Sequence, residues 1–257
     1  KKLDKKAVPP AEFRAECRAY AQKWVDVQRE QLKRLGIMGD WDNPYLTMQF
    51  DSEATIVAEL MKFAEAGNLY RGSKPVMWSP VEETALAEAE VEYEDITSTQ
   101  IDVAFEITES PIEELVGAHA VIWTTTPWTI PVNQAIAYGP EVEYGLVDMP
   151  RQDGTARRLL VATPLWSAFY KRLIPDQAAQ LDDEGAAGFQ PQTVIKGSDL
   201  AGTKARHPMH KLGGFYAKPR PFLPGDFVTT DSGTGLVHMS PDHGEDDFLL
   251  CRANGLE

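Results

Sequence analysis

After Pro9-Pro10 the apolar positions Phe13, Cys17, Tyr20, Trp24 and Val27 recur in alternating steps of four and three, one stripe of an amphipathic helix. The pattern predicts a helix running to about Leu35, with Gly36 as its stop. A second helix is predicted from about Ser52 to Ala66, with Ile56, Leu60 and Phe63 facing inward and Gly67 ending it. Aromatic stripes at helical spacing are ordinarily core, so both faces are expected to be covered. Between Thr84 and Glu92 the run ALAEAEVE favours helix, while alternating Val91, Tyr93 and Ile96 would suit a strand; the pattern leaves both open.

Beyond residue 100 the period shortens to that of strands. Apolar and β-branched runs cover Ile101–Ile107, Ala120–Thr124, Ala135–Tyr138, Val142–Val147, Leu159–Ala162, Thr193–Ile195, Asp226–Thr230 and Gly235–Met239, punctuated by Gly, Pro, Asp and Asn. Leu165–Leu173 reads as a short helix and Asp182–Gly188 as a mobile loop. The expected fold class is α+β: a helical N-terminal segment over residues 1–95, then a β-barrel-like domain with short peripheral helices over 96–257. No run of about 18 apolar residues exists to span a membrane. The basic start has no apolar stretch behind it and is not a secretory signal.

Charge changes this picture only once it is resolved along the chain. The 257 residues carry 39 acidic and 25 basic side chains, a net charge of −14, which disfavours a dedicated duplex-binding protein and DNA as a partner. Residues 1–36 are nevertheless basic, 79–115 hold no Lys or Arg, and 204–220 are basic again through Lys204, Arg206, Lys211, Lys218 and Arg220. The acidic run is expected to be a solvated face, and His207-Pro208-Met209-His210 a surface turned toward phosphate. Two cysteines far apart, Cys17 and Cys251, favour a reduced, cytoplasmic setting. The chain opens on Lys and stops at Ala-Asn-Gly-Leu-Glu, and is expected to be a piece of something longer.

Two stretches are unusual enough to carry chemistry. In Trp123-Thr124-Thr125-Thr126-Pro127-Trp128-Thr129-Ile130-Pro131-Val132-Asn133, three successive hydroxyls end at a proline that holds Thr126 extended. Alternation then puts Thr124 and Thr126 on one face and Thr125 on the other. Beside Trp128 and Asn133 this makes a rigid row of donors and acceptors next to an aromatic plate, suited to a ribose and base. A plain β-edge rich in threonine is the competing explanation.

The second stretch is Asp231-Ser232-Gly233-Thr234-Gly235-Leu236-Val237-His238-Met239-Ser240-Pro241-Asp242-His243-Gly244-Glu245-Asp246-Asp247-Phe248. Its glycines precede the strand, the reverse of a dinucleotide fingerprint. Glu245, Asp246 and Asp247 suit a helix N-terminus, or one of them faces a pocket to receive an ammonium group. His238, His243 and Asp242 match no zinc spacing, and no metal is expected. There is no Gly-x-Ser-x-Gly elbow and neither cysteine has a reactive setting, so any hydrolysis would use a positioned water.

WTTTPWTIPVNQAI and GTGLVHMSPDHGEDDF together resemble the signature pair of the editing domain of isoleucyl-tRNA synthetases, of class I. DWDNPYLTM and LYRGSKPVMWSPVEETALAEAEVEYED resemble the stretch that leads into that domain. The valine and leucine relatives resemble each other in an Arg where this chain has Thr126, which points to the isoleucine branch. Some members carry a Cys-x-x-Cys zinc pair where Trp78 is here followed by Ser79-Pro80-Val81-Glu82, so no zinc is expected there either.

The resemblance implies hydrolysis of mischarged valyl-tRNA. Asp247 would bind the α-ammonium of valine. His238 would sit by its side chain and the ribose. Thr124, Thr125 and Thr126 would hold the terminal adenosine and orient the water, with Trp128 and Asn133 on the wall. The partners implied are the tRNA 3′ acceptor end and the remainder of a synthetase chain. ATP and magnesium belong to that parent, since the HIGH-type and KMSKS-type signatures are missing here and no cofactor is expected in this stretch. A non-catalytic module that grips the acceptor end is the alternative, and a freestanding deacylase a weaker one.

Overall fold

The computed structural model describes residues 4, 6–150, 155–174 and 191–256. Contacts divide the chain into two compact units, Lys1–Gly72 and Ser73–Glu257.

The first unit is two helices. Helix α1 (Pro10–Arg34) starts with proline at its first position, where the missing N–H costs nothing. Helix α2 (Phe50–Glu65) follows, and Gly36 and Gly67, both at positive φ, turn the chain just beyond the two ends. Both helices agree closely with the predicted spans, but no residue of either is buried. Ile56, Leu60 and Phe63, expected to face inward, are 55%, 50% and 58% exposed. Two helices alone lack the surface to cover both stripes, so periodicity specified the helix without specifying its partner. Arg18 links the two helices: it donates to the Glu53 carboxylate and the Met48 carbonyl and lies 4.6 Å from the centre of the Phe50 ring.

The second unit opens with a small antiparallel pair, β1 (Trp78–Ser79) and β2 (Thr84–Ala85). The ambiguous stretch after Thr84 is therefore neither a full helix nor a long strand: β2 gives way to a single 3-10 turn, Glu88–Glu90. The boundary expected between residues 95 and 96 falls inside this unit, shortly before the sheet begins. The sheet comprises β3 (Ile101–Glu109), β4 (His119–Thr124), β5 (Ala135–Tyr138), β6 (Glu143–Pro150), β7 (Ala156–Ala162), β8 (Thr193–Lys196), β9 (Lys204–Arg206), β10 (Pro219–Pro224) and β11 (Leu236–Met239). Their order is β11-β5-β10-β9-β3-β4-β7-β6-β8, antiparallel except where β10 meets β5 and β4 meets β7. Among the described residues, two short helices accompany it, α3 (Trp166–Leu173) and α4 (Glu245–Ala253).

The architecture is thus a mixture of helix and sheet. The ladder of described strands ends at β11 and β8 and does not close into a barrel, but it curls: the Ala162 N–H at the end of β7 donates to the Thr234 carbonyl just before β11, at 2.8 Å. The predicted strand over Asp226–Thr230 is an irregular turn instead. Strands β9 and β10 were not predicted, because β10 carries Pro219, Pro221 and Pro224, residues that argue against a central strand. It escapes that rule by changing partners: Pro219 to Pro221 pair with β9 alone, while Phe222 to Pro224 pair with β5 alone. The predicted loop over Asp182–Gly188 lies outside the described residues.

Alternation explains the burial. Ile122, Leu146 and Leu160 point into a main core with Phe105, Ile136, Tyr144 and Leu236. Their neighbours Val121, Val147 and Val161 point the other way, onto Trp166, Phe169 and Tyr170 around α3. Sheet strands covered on both faces read as continuous apolar runs, as these do. A third cluster, including Ala135, Ala137, Met239 and Cys251, seats α4 beside β5 and β11.

Candidate functional site

The threonine segment is built by the end of β4. Thr124 is its last residue and is buried, Thr125 turns to solvent, and Thr126 begins the 3-10 turn Pro127–Val132. The Thr124 and Thr126 hydroxyls are 3.1 Å apart and the Thr126 N–H donates to the Thr124 Oγ1 at 3.1 Å, so the two share a face as alternation predicted. The backbone of Thr126 is less extended than expected (φ −123°, ψ 70°), because it caps the turn its following proline starts.

That turn brings in a residue the sequence reading passed over. In a 3-10 turn side chains three apart eclipse, and Thr129 falls beneath Thr126. Its hydroxyl donates to the Thr126 carbonyl at 2.8 Å and lies 2.9 Å from Nε2 of His238. With its proton committed to a carbonyl, the Thr129 oxygen accepts from His238, which fixes the proton on Nε2 and leaves Nδ1 as acceptor. Asn133 faces Nδ1 with its amide nitrogen at 3.5 Å, and the same nitrogen donates to the Ala135 carbonyl at 2.8 Å. His238 sits in β11, and burial, reinforced by His243 and His207, pushes its pKa from 6.5 down to about 4. It is a neutral imidazole of fixed tautomer. The i, i+3 spacing of Thr126 and Thr129 was the available signal for Thr129.

Asp247 comes from the first turn of α4, directly after the 3-10 turn Pro241–His243. Its Oδ2 accepts the Ser240 N–H at 2.8 Å. Burial raises the pKa of this carboxyl, opposed by the Ser240 bond, with Asp246 adding to the rise. Asp246 is exposed and Asp247 half-buried, so the structure separates two neighbours that residue chemistry without the family resemblance does not.

These parts line one cleft of about 290 Å³: Thr124, Thr125, Thr126, His238, Asp247 and the turn Ser232–Gly235. Trp128 and Asn133 are not on its wall. Trp128 is 68% exposed, and Asn133 is fully buried behind His238. His243 and Asp242 are exposed whereas His238 is buried, and among the described residues no three His, Cys, Asp or Glu side chains gather as a metal cage.

The basic stretch 204–220 also differs from expectation. Lys204 and Arg206 are paired with Glu109 and Glu106 across the β9–β3 ladder, which also means that this part of the acidic run is not simply solvated. Arg220 is buried over the Phe215 ring, 4.7 Å from its centre. His207 is a buried brace rather than a surface group: Nε2 donates to the Ile130 carbonyl at 2.8 Å and Nδ1 accepts the Met209 N–H at 3.0 Å. Desolvation, the larger influence, keeps its pKa below the ordinary value.

Residues 1–200 match the model of the class I tRNA synthetases (I, L, M and V), and the chain belongs to that family. Within it, the chain is 55% identical to the isoleucine–tRNA ligase of Zymomonas mobilis over 98% of this chain and 25% of the relative. It is 50% identical to that of Gluconobacter oxydans over 99% of this chain and 26% of the relative. The chain spans about a quarter of the length of these relatives. Among solved structures, it is similar to GlLeuRS-CP1 at 17% identity and TM-score 0.41, covering 77% of this chain and 59% of the other. It is also similar to the Plasmodium falciparum cytosolic leucyl-tRNA synthetase editing domain, at 15% identity and TM-score 0.37, covering 51% and 44%.

Proposed function

We propose that this chain is the editing module of an isoleucine–tRNA ligase and hydrolyses valine from mischarged valyl-tRNA with a positioned water. The need for such a site is physical. One methylene separates isoleucine from valine and is worth only about 1–3 kcal/mol in an apolar pocket, a magnitude known from this very class of synthetase and not obtained from the present cleft. A second pocket that destroys the smaller product makes up the shortfall.

The observation that carries the reading is the convergence of the Asp247 carboxylate with the Thr124 and Thr126 hydroxyls in one small cleft. The carboxylate takes the α-ammonium in a charge-assisted contact. Thr124 and Thr126 orient the water that attacks the ester carbonyl; the bond to the ribose oxygen breaks, and that oxygen takes up the proton. Thr125 and the cleft rim receive the terminal adenosine. His238, held rigid by Thr129, limits the side-chain end, and Trp128 and Asn133 act from outside the wall. Residues 1–95 serve as the link to the rest of a cytoplasmic synthetase, where ATP and isoleucine are handled.

The direct test is Asp247→Asn, which keeps the shape and removes the charge. Valyl-tRNA deacylation should fall by about a hundredfold or more while folding is kept. Undiminished deacylation by this variant would end the assignment. Acceptor-end binding by the unaltered chain without deacylation would favour the non-catalytic alternative.

A further inference from the structure

The turn that forms one wall of the cleft is held from outside at three consecutive carbonyls. The Gly233 carbonyl accepts from Arg172 Nη2 at 3.0 Å, the Thr234 carbonyl from the Ala162 N–H at 2.8 Å, and the Gly235 carbonyl from the Tyr144 hydroxyl at 2.7 Å. Two of these donors are fixed by the sheet itself: Ala162 ends β7, and Tyr144 in β6 also accepts the Gly139 N–H at 2.9 Å. The third is different. Arg172 lies at the end of α3 and reaches the turn as a side chain, aimed by Asp102 in β3 through a two-pronged contact of 3.1 and 2.9 Å.

We propose that Arg172, oriented by Asp102, is a positioning residue for the cleft: it holds the Gly233 end of the Ser232–Gly235 wall at a set distance from the threonines. This deepens the editing proposal and rests on it for the reaction concerned. The geometry leaves the wall one soft end. Gly235 is wedged so tightly that a Cβ there would collide with Ala162, and β11 begins at the next residue. At the other end Asp231 and Ser232 are exposed, and Gly233, buried against Trp123, is held through its carbonyl by the Arg172 side chain rather than by the sheet. Gly233 and Gly235 are both at positive φ, a conformation other residues resist, so the turn has no side chains of its own at these positions to lock it. The guanidinium is suited to the task because its planar fork grips both Asp102 oxygens and still presents an N–H to the Gly233 carbonyl, a geometry that a lysine ammonium reproduces only in part.

The test uses full-length synthetase containing this chain and the variants Arg172→Met, Arg172→Lys and Asp102→Asn. Hydrogen exchange followed by mass spectrometry reads the peptide spanning 231–236 against one from β6. Arg172→Met should speed exchange in the turn by about tenfold or more and leave β6 unchanged; Arg172→Lys should recover only part, and Asp102→Asn should act in the same direction. The ratio of valyl- to isoleucyl-tRNA deacylation, which is independent of how much protein is folded, should narrow by about tenfold in Arg172→Met. Unchanged exchange in the turn, or acceleration spread equally to β6, would overturn the positioning role, as would a loosened turn with an unaltered ratio. If the unaltered enzyme deacylates neither ester, the editing proposal fails, and the exchange experiment still decides whether Arg172 holds the turn.

Discussion

The helical unit and the sheet unit obey the same hydrophobic patterning and come to opposite ends. Along α1 and α2 the apolar stripes are as regular as any in the chain, yet not one of their residues is buried. In the sheet unit the apolar residues alternate from one face to the other, and each face finds a partner: the main core, α3 or α4. A stripe at helical spacing encodes only a wish for cover, whereas a strand flanked on both sides brings its cover with it. The difference also bears on the candidate cleft. That cleft, with its buried His238 and half-buried Asp247, is framed by strands and turns of the sheet unit.

The comparison breaks most sharply with a matched pair of substitutions. Phe105→Ala removes a fully buried ring from the main core and should destabilise the sheet unit by about 3–5 kcal/mol in urea unfolding. Phe63→Ala removes the same ring from a helix position 58% exposed and should cost well under about 1 kcal/mol. Similar losses at the two positions would mean that α2 is covered after all.

Acid sharpens it next. His238 binds a proton at about 4 in the folded state against 6.5 in the unfolded chain, so between these values the unfolded state holds more protons. Stability contributed by the neutral imidazole is therefore present above pH 6.5 and lost on acidification toward pH 4, by about 3 kcal/mol in all. Asp247 opposes this: its raised pKa means that the folded state holds the extra proton, so its part of the stability falls as pH rises through that pKa. His238→Gln should flatten the acid limb of a stability–pH profile, and a limb of undiminished slope would show that another group is responsible. If Asp247 binds the α-ammonium as proposed, deacylation should rise with pH through the same carboxyl titration.

Much of this was legible beforehand, for identifiable reasons. Period alone placed α1 and α2 within about two residues, and most strands too, because local sterics decide them. The cleft residues Thr124, Thr126 and His238 stand out because their neighbours are improbable as ordinary core, Asp247 is singled out from Asp246 by the family resemblance alone, and the fold brings the four together. The wall position that the stiffened loop and the resemblance imply for Trp128 and Asn133 is not met, because the 3-10 turn leaves Trp128 exposed and Asn133 buried. Thr129 was missed because its importance depends on that turn and on His238, 109 residues away. Strand β10 was hidden by prolines that a change of partner makes harmless. The basic stretch shrinks for a similar reason, to the exposed Lys211 and Lys218, since pairing of Lys204 and Arg206 with Glu109 and Glu106 depends on strand register.

The smallest effects give the finest version of the comparison. Lys204 pairs with Glu109 at 2.7 Å on the exposed face of the sheet unit, where ordering two long side chains offsets most of the attraction. Lys204→Met should change the stability of that unit by less than about 0.5 kcal/mol, and salt should erase the difference. Arg18 in the helical unit is also half-exposed, yet it joins Glu53, the Met48 carbonyl and the Phe50 ring in a unit with no buried residue in either helix. Losing it removes a charged hydrogen bond and the packing of its stem together, so Arg18→Met should cost about 1 kcal/mol. Hydrogen exchange in α1 and α2 peptides measures the second effect, and urea midpoints the first. Where a core exists, a surface ion pair is dispensable; where none exists, the same kind of contact becomes a main support. Equal and negligible changes at Lys204 and Arg18 would show that the helices draw their stability from something other than this contact.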